Sequence, residues 1–247
     1  MTTLFISDLH LSADRPDITA CFLQFMQQET QGIDALYVLG DLFEMWIGDD
    51  DDSPFHQKIK HAFKQVTDSG VSCYFIHGNR DFLVGKRFSQ ETGVQLLPEH
   101  TVVDLYGQPT LLLHGDTLCT LDEGYQRYRK KVHNRIIQWL FFRLPLRYRQ
   151  QIGNKMRSGS NQNNQMKSLS IMDVTAEEVE KVMADNGVQQ MIHGHTHRPA
   201  VHQLQVAGLP AERIVLGDWY DHGSVLVYSA EGYQLETRDF LLNGTNK

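Results

Sequence analysis

A chain of 247 residues, 41% hydrophobic and 21% charged, has a globular composition with enough apolar surface for a full core, in one large domain or one domain with an insertion. Its formal charge of −7 speaks against general nucleic-acid binding, and no apolar run approaches the roughly 18 residues needed to cross a bilayer. The start "MTTLFISDLH" lacks a basic region and meets an acid at Asp8, so it does not read as a signal peptide; Cys21, Cys73 and Cys119, without CxxC spacing, read as reduced thiols of a cytosolic protein.

"TLFISD" (Thr3 to Asp8) reads as a short buried strand, and residues 16–30 have helical spacing. "ALYVLGD" (Ala35 to Asp41) is a second strand. A helix follows, with Ser53 as N-cap, Pro54 in its first turn and Gly70 past its end. "VSCYFIHGN" is a third strand, so strand, helix, strand, helix, strand predicts parallel strands with helical crossovers. "TVVDLYGQPTLLLHGD" alternates and reads as a hairpin turning at Gly107-Gln108. Residues 121–171 are mostly helical and broken at Pro145, with "SGSNQNNQ" (Ser158 to Gln165) as a loop. Residues 175–186 form a helix with Thr175 as N-cap and Glu178 in the capping-box position. A strand returns at "VQQMIHGHTH", and the tail after Arg213 alternates like an antiparallel sheet.

Charge is uneven along the chain. Residues 121–171 hold 11 lysines and arginines against two acids, a net +9, which suggests a separate unit facing an anionic partner. Within it lies "QWLFFRLPLRYR" (Gln138 to Arg149), apolar and basic with no acid. Val132, Ile136, Leu140 and Leu144 fall at i+4 steps, a single face of a continuous helix, flanked by Lys131, Arg135, Arg143 and Arg147. Such a face either closes over an apolar ligand or packs against the body or a second subunit.

Five positions share one layout, in which a strand ends and a metal-type ligand follows. They are "SDLH" (Asp8, His10), "GDLFE" (Asp41), "GNRD" (Asn79), "HGD" (His114) and "HGHTH" (His193, His195, His197). In open α/β sheets the carboxyl ends of strands converge on one crevice, so ligands far apart in sequence meet there. Carboxylates, an amide oxygen and imidazoles without thiolates suit Mn²⁺, Fe²⁺ or Zn²⁺. Alternation along extended backbone lets Asp8 and His10 share a metal, and likewise His195 and His197, with His193 behind them. Singly, each has a plainer reading as a helix cap or an interior histidine; jointly, in this order, they do not.

The series D-x-H, GD, GN, H and GHxH resembles the signature of the calcineurin-like metallophosphoesterases, from Asp8 to His197. The resemblance implies an α/β (α+β) fold, a two-sheet β-sandwich flanked by helices (αββα). Residues 1–247 would form a single domain, with 121–171 as a helical, lipid-binding cap inserted within it. It also implies two metals bridged by Asp41, one held by Asp8, His10 and His197, the other by Asn79, His114 and His195. One departure matters: the wider superfamily usually reads GNH[DE], whereas Arg80 stands in the histidine's place here. Arginine cannot donate a proton at neutral pH but holds phosphate oxygens bidentately, which points to a pyrophosphate bond, whose leaving group needs no proton.

Longer strings, "SDLHLSADRP", "LGDLFEMWIGDDD", "HGNRDFLVGKRF", "LLPE", "LHGDTLCT" and "HGHTHRPAVH", closely resemble the UDP-2,3-diacylglucosamine diphosphatase family of lipid A synthesis. That resemblance implies water attack on the α-phosphorus of UDP-2,3-diacylglucosamine, releasing UMP and 2,3-diacylglucosamine 1-phosphate. It implies two Mn²⁺ per chain and a peripheral position on the anionic cytoplasmic face of the bacterial inner membrane, with neither a nucleic-acid nor a protein partner. Catalytic roles carry over to Asp41, Asn79, Arg80 and His195, and substrate contacts to Asn79, Arg80, Asp122, Ser160, Asn164, Lys167 and His195. The alternatives are a calcineurin-like phosphoesterase acting on nucleotides or phosphoproteins, disfavoured by the basic, apolar insertion, and a non-catalytic metal-binding scaffold, disfavoured by the complete ligand set. Asp49 to Asp52 read as a solvated lead-in to the helix at Ser53. Met45, Trp46 and Ile47 read equally as pocket or core, and Tyr220, Asp221 and His222 as a turn without chemical importance.

Overall fold

The first two strand runs, LFI and ALYVL, are apolar throughout because both of their faces are covered. The computed structural model describes residues 1–166 and 173–239. The chain runs through β1 (Thr2–Ile6), α1 (Pro16–Gln28), β2 (Ala35–Leu39), α2 (Pro54–Asp68), β3 (Ser72–Ile76), α3 (Lys86–Thr92) and β4 (Gln95–Leu96). The hairpin β5 (Thr101–Leu105) and β6 (Gln108–Leu112) follows, then the inserted helices α4 (Glu123–Val132), α5 (Arg135–Phe142) and α6 (Leu146–Met166). It closes with α7 (Ala176–Asp185), β7 (Gln190–His193), β8 (Ala200–Val206), β9 (Leu209–Val215), β10 (Gly223–Ser229) and β11 (Gly232–Arg238).

A six-stranded sheet has the order β11-β10-β1-β2-β3-β4, and a five-stranded sheet the order β5-β6-β7-β9-β8. The strands β1 to β4 are parallel, as the crossovers require. Side chains alternate between two apolar layers. Leu4, Ile6, Leu36 and Val38 pack under α1 and α2 against Phe22, Ile59 and Phe63, while Phe5, Tyr37 and Leu39 meet Leu112, Ile192 and Ile214 of the other sheet. A third layer joins Leu111, Leu113 and Met191 to Val182 and Met183 of α7. The result is helices, sheet, sheet and helix, the expected two-sheet sandwich.

Local signals hold at several ends. Ser53 caps α2 by accepting from the His56 N–H at 3.3 Å, with Pro54 in the first turn. The hairpin turn is Tyr106-Gly107, one residue earlier than its composition suggests, because Leu105 pairs with Gln108. Both turn residues have positive φ, 54° and 97°, as a two-residue hairpin needs. Thr175 makes no capping bond on α7; its hydroxyl lies 2.5 Å from that of Thr120, and Glu178 pairs with Lys181, so no capping box forms. The polar run Ser158 to Gln165 continues α6 rather than forming a loop, since extending a nucleated helix adds one backbone hydrogen bond per residue.

The insertion is broken twice, not once. Besides Pro145, Asn134 ends the first helix and caps α5, accepting from the Ile136 N–H at 2.9 Å. Val132 therefore lies on a different helix from Ile136, and the continuous i+4 face does not exist. The acidic run is a solvated lead-in only at Asp50 and Asp52, and all four acids have partners. Asp49 accepts from the backbone N–H groups of Gly85, Arg87 and Phe88 and so caps α3 from a distance. Asp50 pairs with Arg149, Asp51 is buried beside His56, and Asp52 joins Lys60 and Arg87.

Candidate metal centre

The loops that leave β1, β2, β3, β6 and β7 meet at one end of the sandwich. The Asp8 N–H donates to the Gly40 carbonyl (3.1 Å) and the His10 N–H to that of Asp41 (2.9 Å), tying the first two loops together. The Gly194 N–H donates to the His114 carbonyl (2.9 Å), tying the loops of the other sheet. Asp8, His10, Asp41, His195 and His197 all have φ between 49° and 69°. Left-handed backbone is costly for residues with a Cβ, and here it aims the side chains inward. Convergence thus comes from these turns and not from alternation along extended backbone.

The ligand atoms crowd one small volume. His10 Nε2 lies 3.3 Å from His197 Nε2 and 3.8 Å from Asp41 Oδ2. His114 Nε2 is 3.7 Å from Asp41 Oδ1, 3.1 Å from Asn79 Oδ1 and 3.2 Å from His195 Nδ1. His197 Nε2 is 3.3 Å from Asp8 Oδ1. Asp41 therefore sits between the two histidine groups, one oxygen toward each. Two carboxylate–histidine clusters result, Asp8 with His10 and His197, and Asp8 with Asp41 and His114. His193 is set apart: fully buried, it lies 2.8 Å from the Gly194 carbonyl and 3.0 Å from Arg213.

A surrounding shell holds Asp8, His10, Asp41, His114 and His197. Ser7 donates to Asp8 Oδ2 (2.5 Å), and so does the His195 N–H (2.7 Å). Asp81 accepts from the N–H groups of Asp41, Leu42 and Gly78, fixing the Asp41 turn. His114 Nδ1 is 2.8 Å from the Leu39 carbonyl, His10 Nδ1 is 3.1 Å from Glu44, and His197 Nδ1 is 3.1 Å from Asp218. Such outer partners set ring orientation and basicity. Gly194 cannot carry a side chain, because a Cβ there would run into Ser7 and Asp8. Tyr220 stacks on His10 at 5.4 Å and 11°, so its turn walls the cluster and is not chemically idle. Glu44, three residues beyond Asp41, and Asp218 in "GDWYDHGS" were legible only as acids close to a motif.

Electrostatics fit a cation. Burial disfavours the Asp8 carboxylate, but His197, His114 and His10 outweigh it and hold its pKa well below the usual range. Burial lowers His114, yet Asp41, Asp8 and Asp116 raise it to about 9. The same balance, with Asp8 and Asp218 as counterparts, puts His197 at about 10. Burial, with the neighbouring His114, lowers His195 to about 4. Asp8 Oδ1 is buried without a hydrogen bond among the described residues. An orphaned carboxylate oxygen facing imidazole nitrogens in a thiol-free donor set is what a hard or borderline divalent cation satisfies.

Beside the cluster opens a cavity of about 750 Å³. Asn79 and Arg80 stand where the two join, and Met45, Trp46, Ile47, Phe82, Tyr128, Val132, Ile137, Phe141 and Ile152 line the rest. Trp46 is also fully buried, so pocket and core are both true of it. Of α5, Ile137 and Phe141 face the cavity, while Ile136 and Leu140 point outward at 69% and 54% exposure. The inward face is one residue round from the stripe read in the sequence. The Arg80 Nε is buried without a partner, and no ion pair holds its guanidinium among the described residues. Asp122 does not line the cavity; it caps α4, accepting from the Tyr125 N–H at 3.0 Å. Ser160 and Asn164 fall in the part of α6 whose side chains are not described, and Lys167 lies outside the described residues.

The sequence matches the calcineurin-like phosphoesterase family over residues 1–199. A Photobacterium profundum protein named UDP-2,3-diacylglucosamine hydrolase is 73% identical over 97% of this chain and 98% of its own length. Proteins of the same name from Serratia proteamaculans and Aliivibrio fischeri are 58% and 56% identical, over 95% and 97% of this chain and 98% and 100% of their own. With its motifs gathered in one cluster and this likeness along nearly its whole length, the chain belongs to the calcineurin-like phosphoesterase family.

Proposed function

We propose that the chain hydrolyses the pyrophosphate bond of UDP-2,3-diacylglucosamine, by water attack on the α-phosphorus, to give UMP and 2,3-diacylglucosamine 1-phosphate in lipid A synthesis. The carrying observation is the junction at Asn79 and Arg80, where a carboxylate–imidazole cluster opens directly into an apolar cavity. A pyrophosphate bearing a nucleotide on one side and a diacyl sugar on the other needs that junction. The names of relatives that are 73% and 58% identical agree. A nucleotide or phosphoprotein substrate would leave the cavity without use.

Asp8, His10 and His197, then Asn79, His114 and His195, with Asp41 between, are the residues that would hold two divalent cations, Mn²⁺ in our reading, and bound there these supply Lewis acidity and a water of lowered pKa. Arg80 offers its guanidinium, unpaired among the described residues, to the phosphoryl oxygens and stabilises charge as it builds on the leaving side. It donates no proton, and a sugar phosphate of low pKa requires none. Asn79 anchors the same region through its amide oxygen, 3.1 Å from His114. His195 turns Nδ1 to within 3.2 Å of His114 Nε2, which places its ring among the other ligands. The cavity wall takes the acyl chains, at about 0.8 kcal/mol for each buried methylene.

The outer face of α5 supports a peripheral place on the cytoplasmic face of the bacterial inner membrane. Ile136, Trp139, Leu140 and Phe142 are exposed there, with the Arg143 guanidinium 4.4 Å from the Trp139 ring. Apolar side chains among arginines suit an anionic bilayer surface. Among the described residues no helix is long and apolar enough to cross a membrane. The deciding experiment is release of UMP from UDP-2,3-diacylglucosamine by the purified, metal-stripped protein, with and without added Mn²⁺. Absence of UMP with metal present rejects the substrate; full release without metal rejects the cations. Co-sedimentation with phosphatidylglycerol vesicles, reduced by Trp139→Ala, checks the membrane assignment.

A further inference from the structure

No other arginine among the described residues is as buried as Arg149, at 3% exposure. It lies in the first turn of α6, far in sequence from everything its head group touches except α5. Nε donates to the Leu144 carbonyl (3.0 Å), just past the end of α5. Nη1 donates to the Ile47 carbonyl (2.8 Å) and to Asp50 Oδ1 (2.8 Å), and Nη2 to the other Asp50 oxygen. The guanidinium carbon lies 5.9 Å from the Phe142 ring centre. One planar group thus joins the inserted helices to the loop Ile47–Asp50 of the catalytic body, using the fork geometry that only arginine has.

The loop is built around it. Gly48 has φ 139°, and a Cβ there would run into Arg149 Nη1 and Asp50. One turn along α6, a Cβ on Gly153 would lie 3.0 Å from Ile47 and 3.3 Å from Met45, so helix and loop meet as closely as a glycine allows. Met45, Trp46 and Ile47 line the cavity from the loop, and Phe141, Ile152 and Gly153 line it from the inserted helices. The placing of the helix lining against the loop lining is therefore set where Arg149 joins them.

We propose that Arg149 is a positioning residue that fixes the width and depth of the cavity and thereby the acyl-chain length the protein accepts. The inference rests on the cavity being the acyl site, as argued under Proposed function. Arg149 touches neither the metal ligands nor Arg80, so it acts on binding of the chains and not on bond cleavage.

The test compares the parent with Arg149→Lys, Asp50→Asn and Gly48→Ala on UDP-2,3-diacylglucosamines of graded acyl length. Lysine keeps the charge but cannot reach Ile47, Leu144 and Asp50 together. The expected result for Arg149→Lys is a KM raised about tenfold for the chain length the parent prefers, kcat within about twofold, and a flattened length preference. Asp50→Asn keeps the two carbonyl contacts and should show the same direction with a smaller change. A kcat reduced by one factor at every length, or an unchanged length profile in all folded variants, overturns the proposal. If Arg149→Lys does not fold, Asp50→Asn and Gly48→Ala decide alone. If the parent cleaves no acylated substrate, the functional reading fails instead. Hydrogen exchange then judges the pin by itself: faster exchange confined to α5 and α6 is required, and exchange equal to the parent's refutes it.

Discussion

Of the seven non-glycine residues with positive φ among the described residues, five are ligands named from the sequence. The strain is borne where side chains must turn inward, and the hydrogen bonds to Gly40, Asp41 and Asp81 hold it there. Asp41 lies between both clusters, so Asp41→Ala should abolish activity, while His10→Ala should recover in part with excess Mn²⁺; equal rescue of both variants would contradict the shared position of Asp41. Arg80 allows a sharper prediction. Its guanidinium has no ion-pair partner among the described residues, so a substrate phosphate receives it undiminished. Arg80→His removes charge-assisted bonds of about 1.5–3 kcal/mol each and should lower kcat/KM on the pyrophosphate substrate by about one to three orders of magnitude. On an alkyl phosphodiester, whose leaving group does need a proton, the same change should cost less. Measuring both substrates across pH checks this, and parity with the parent on the pyrophosphate would refute the clamp.

The inserted helices supply much of the cavity lining, and in our reading substrate choice turns on them. Asn134 stops α4 from running into α5, and that break rotates Ile137 and Phe141 toward the cavity and Trp139 away from it. Replacing residues 121–171 by a short linker should leave the cations bound but remove activity on the lipid substrate, with hydrolysis of a small chromogenic phosphodiester surviving better; equal loss on both would make the helices a structural support. The attachment has a pH signature. Arg149, against the opposing effect of partial burial, holds the Asp50 carboxyl below its ordinary range. A depressed carboxylate stabilises the fold fully above its unfolded pKa, about 3.9, and loses that contribution as pH falls through the folded value. Asp50→Asn should therefore melt below the parent at neutral pH, and the gap in Tm should close on acidification below about pH 4. A gap that persists in acid would show that the carboxylate's charge is not what matters.

At the scale of the whole molecule the centre belongs to neither sheet. Asp8, Asp41 and Asn79 follow β1, β2 and β3 of one, and His114, His195 and His197 follow β6 and β7 of the other. A cation held there bridges the sandwich, so it binds the folded chain and not its separated halves. At a hundredfold excess over Kd such binding adds about 2.7 kcal/mol. For a chain of this size each kcal/mol moves Tm by about 2–4 °C, so chelation should lower Tm by about 5–10 °C in one transition for both sheets. A melting curve indifferent to chelator would mean that the cluster binds no cation tightly.

What the sequence determined by itself was the chemistry and the order in which it is presented. Apolar runs ending in Gly-Asp, Gly-Asn or His-Gly name both the strands and the ligands that follow them, because strand and loop are encoded by residues adjacent along the chain. Ser53-Pro54 marked the start of α2 for the same reason. Tertiary structure decided what depends on partners far away. Asp49 reads as a solvated acid until α3 is folded against it, Tyr220 as an idle turn until His10 lies under its ring, and Arg149 as one more surface cation until Ile47 and Asp50 surround it. The face of α5 that turns inward was likewise hidden, since apolar residues lie on both sides of that helix and only the rest of the cavity lining distinguishes them. Local pattern reaches one helical turn or one strand pair; which wall a side chain meets is set by packing between segments roughly a hundred residues apart, and no period in the sequence carries that information.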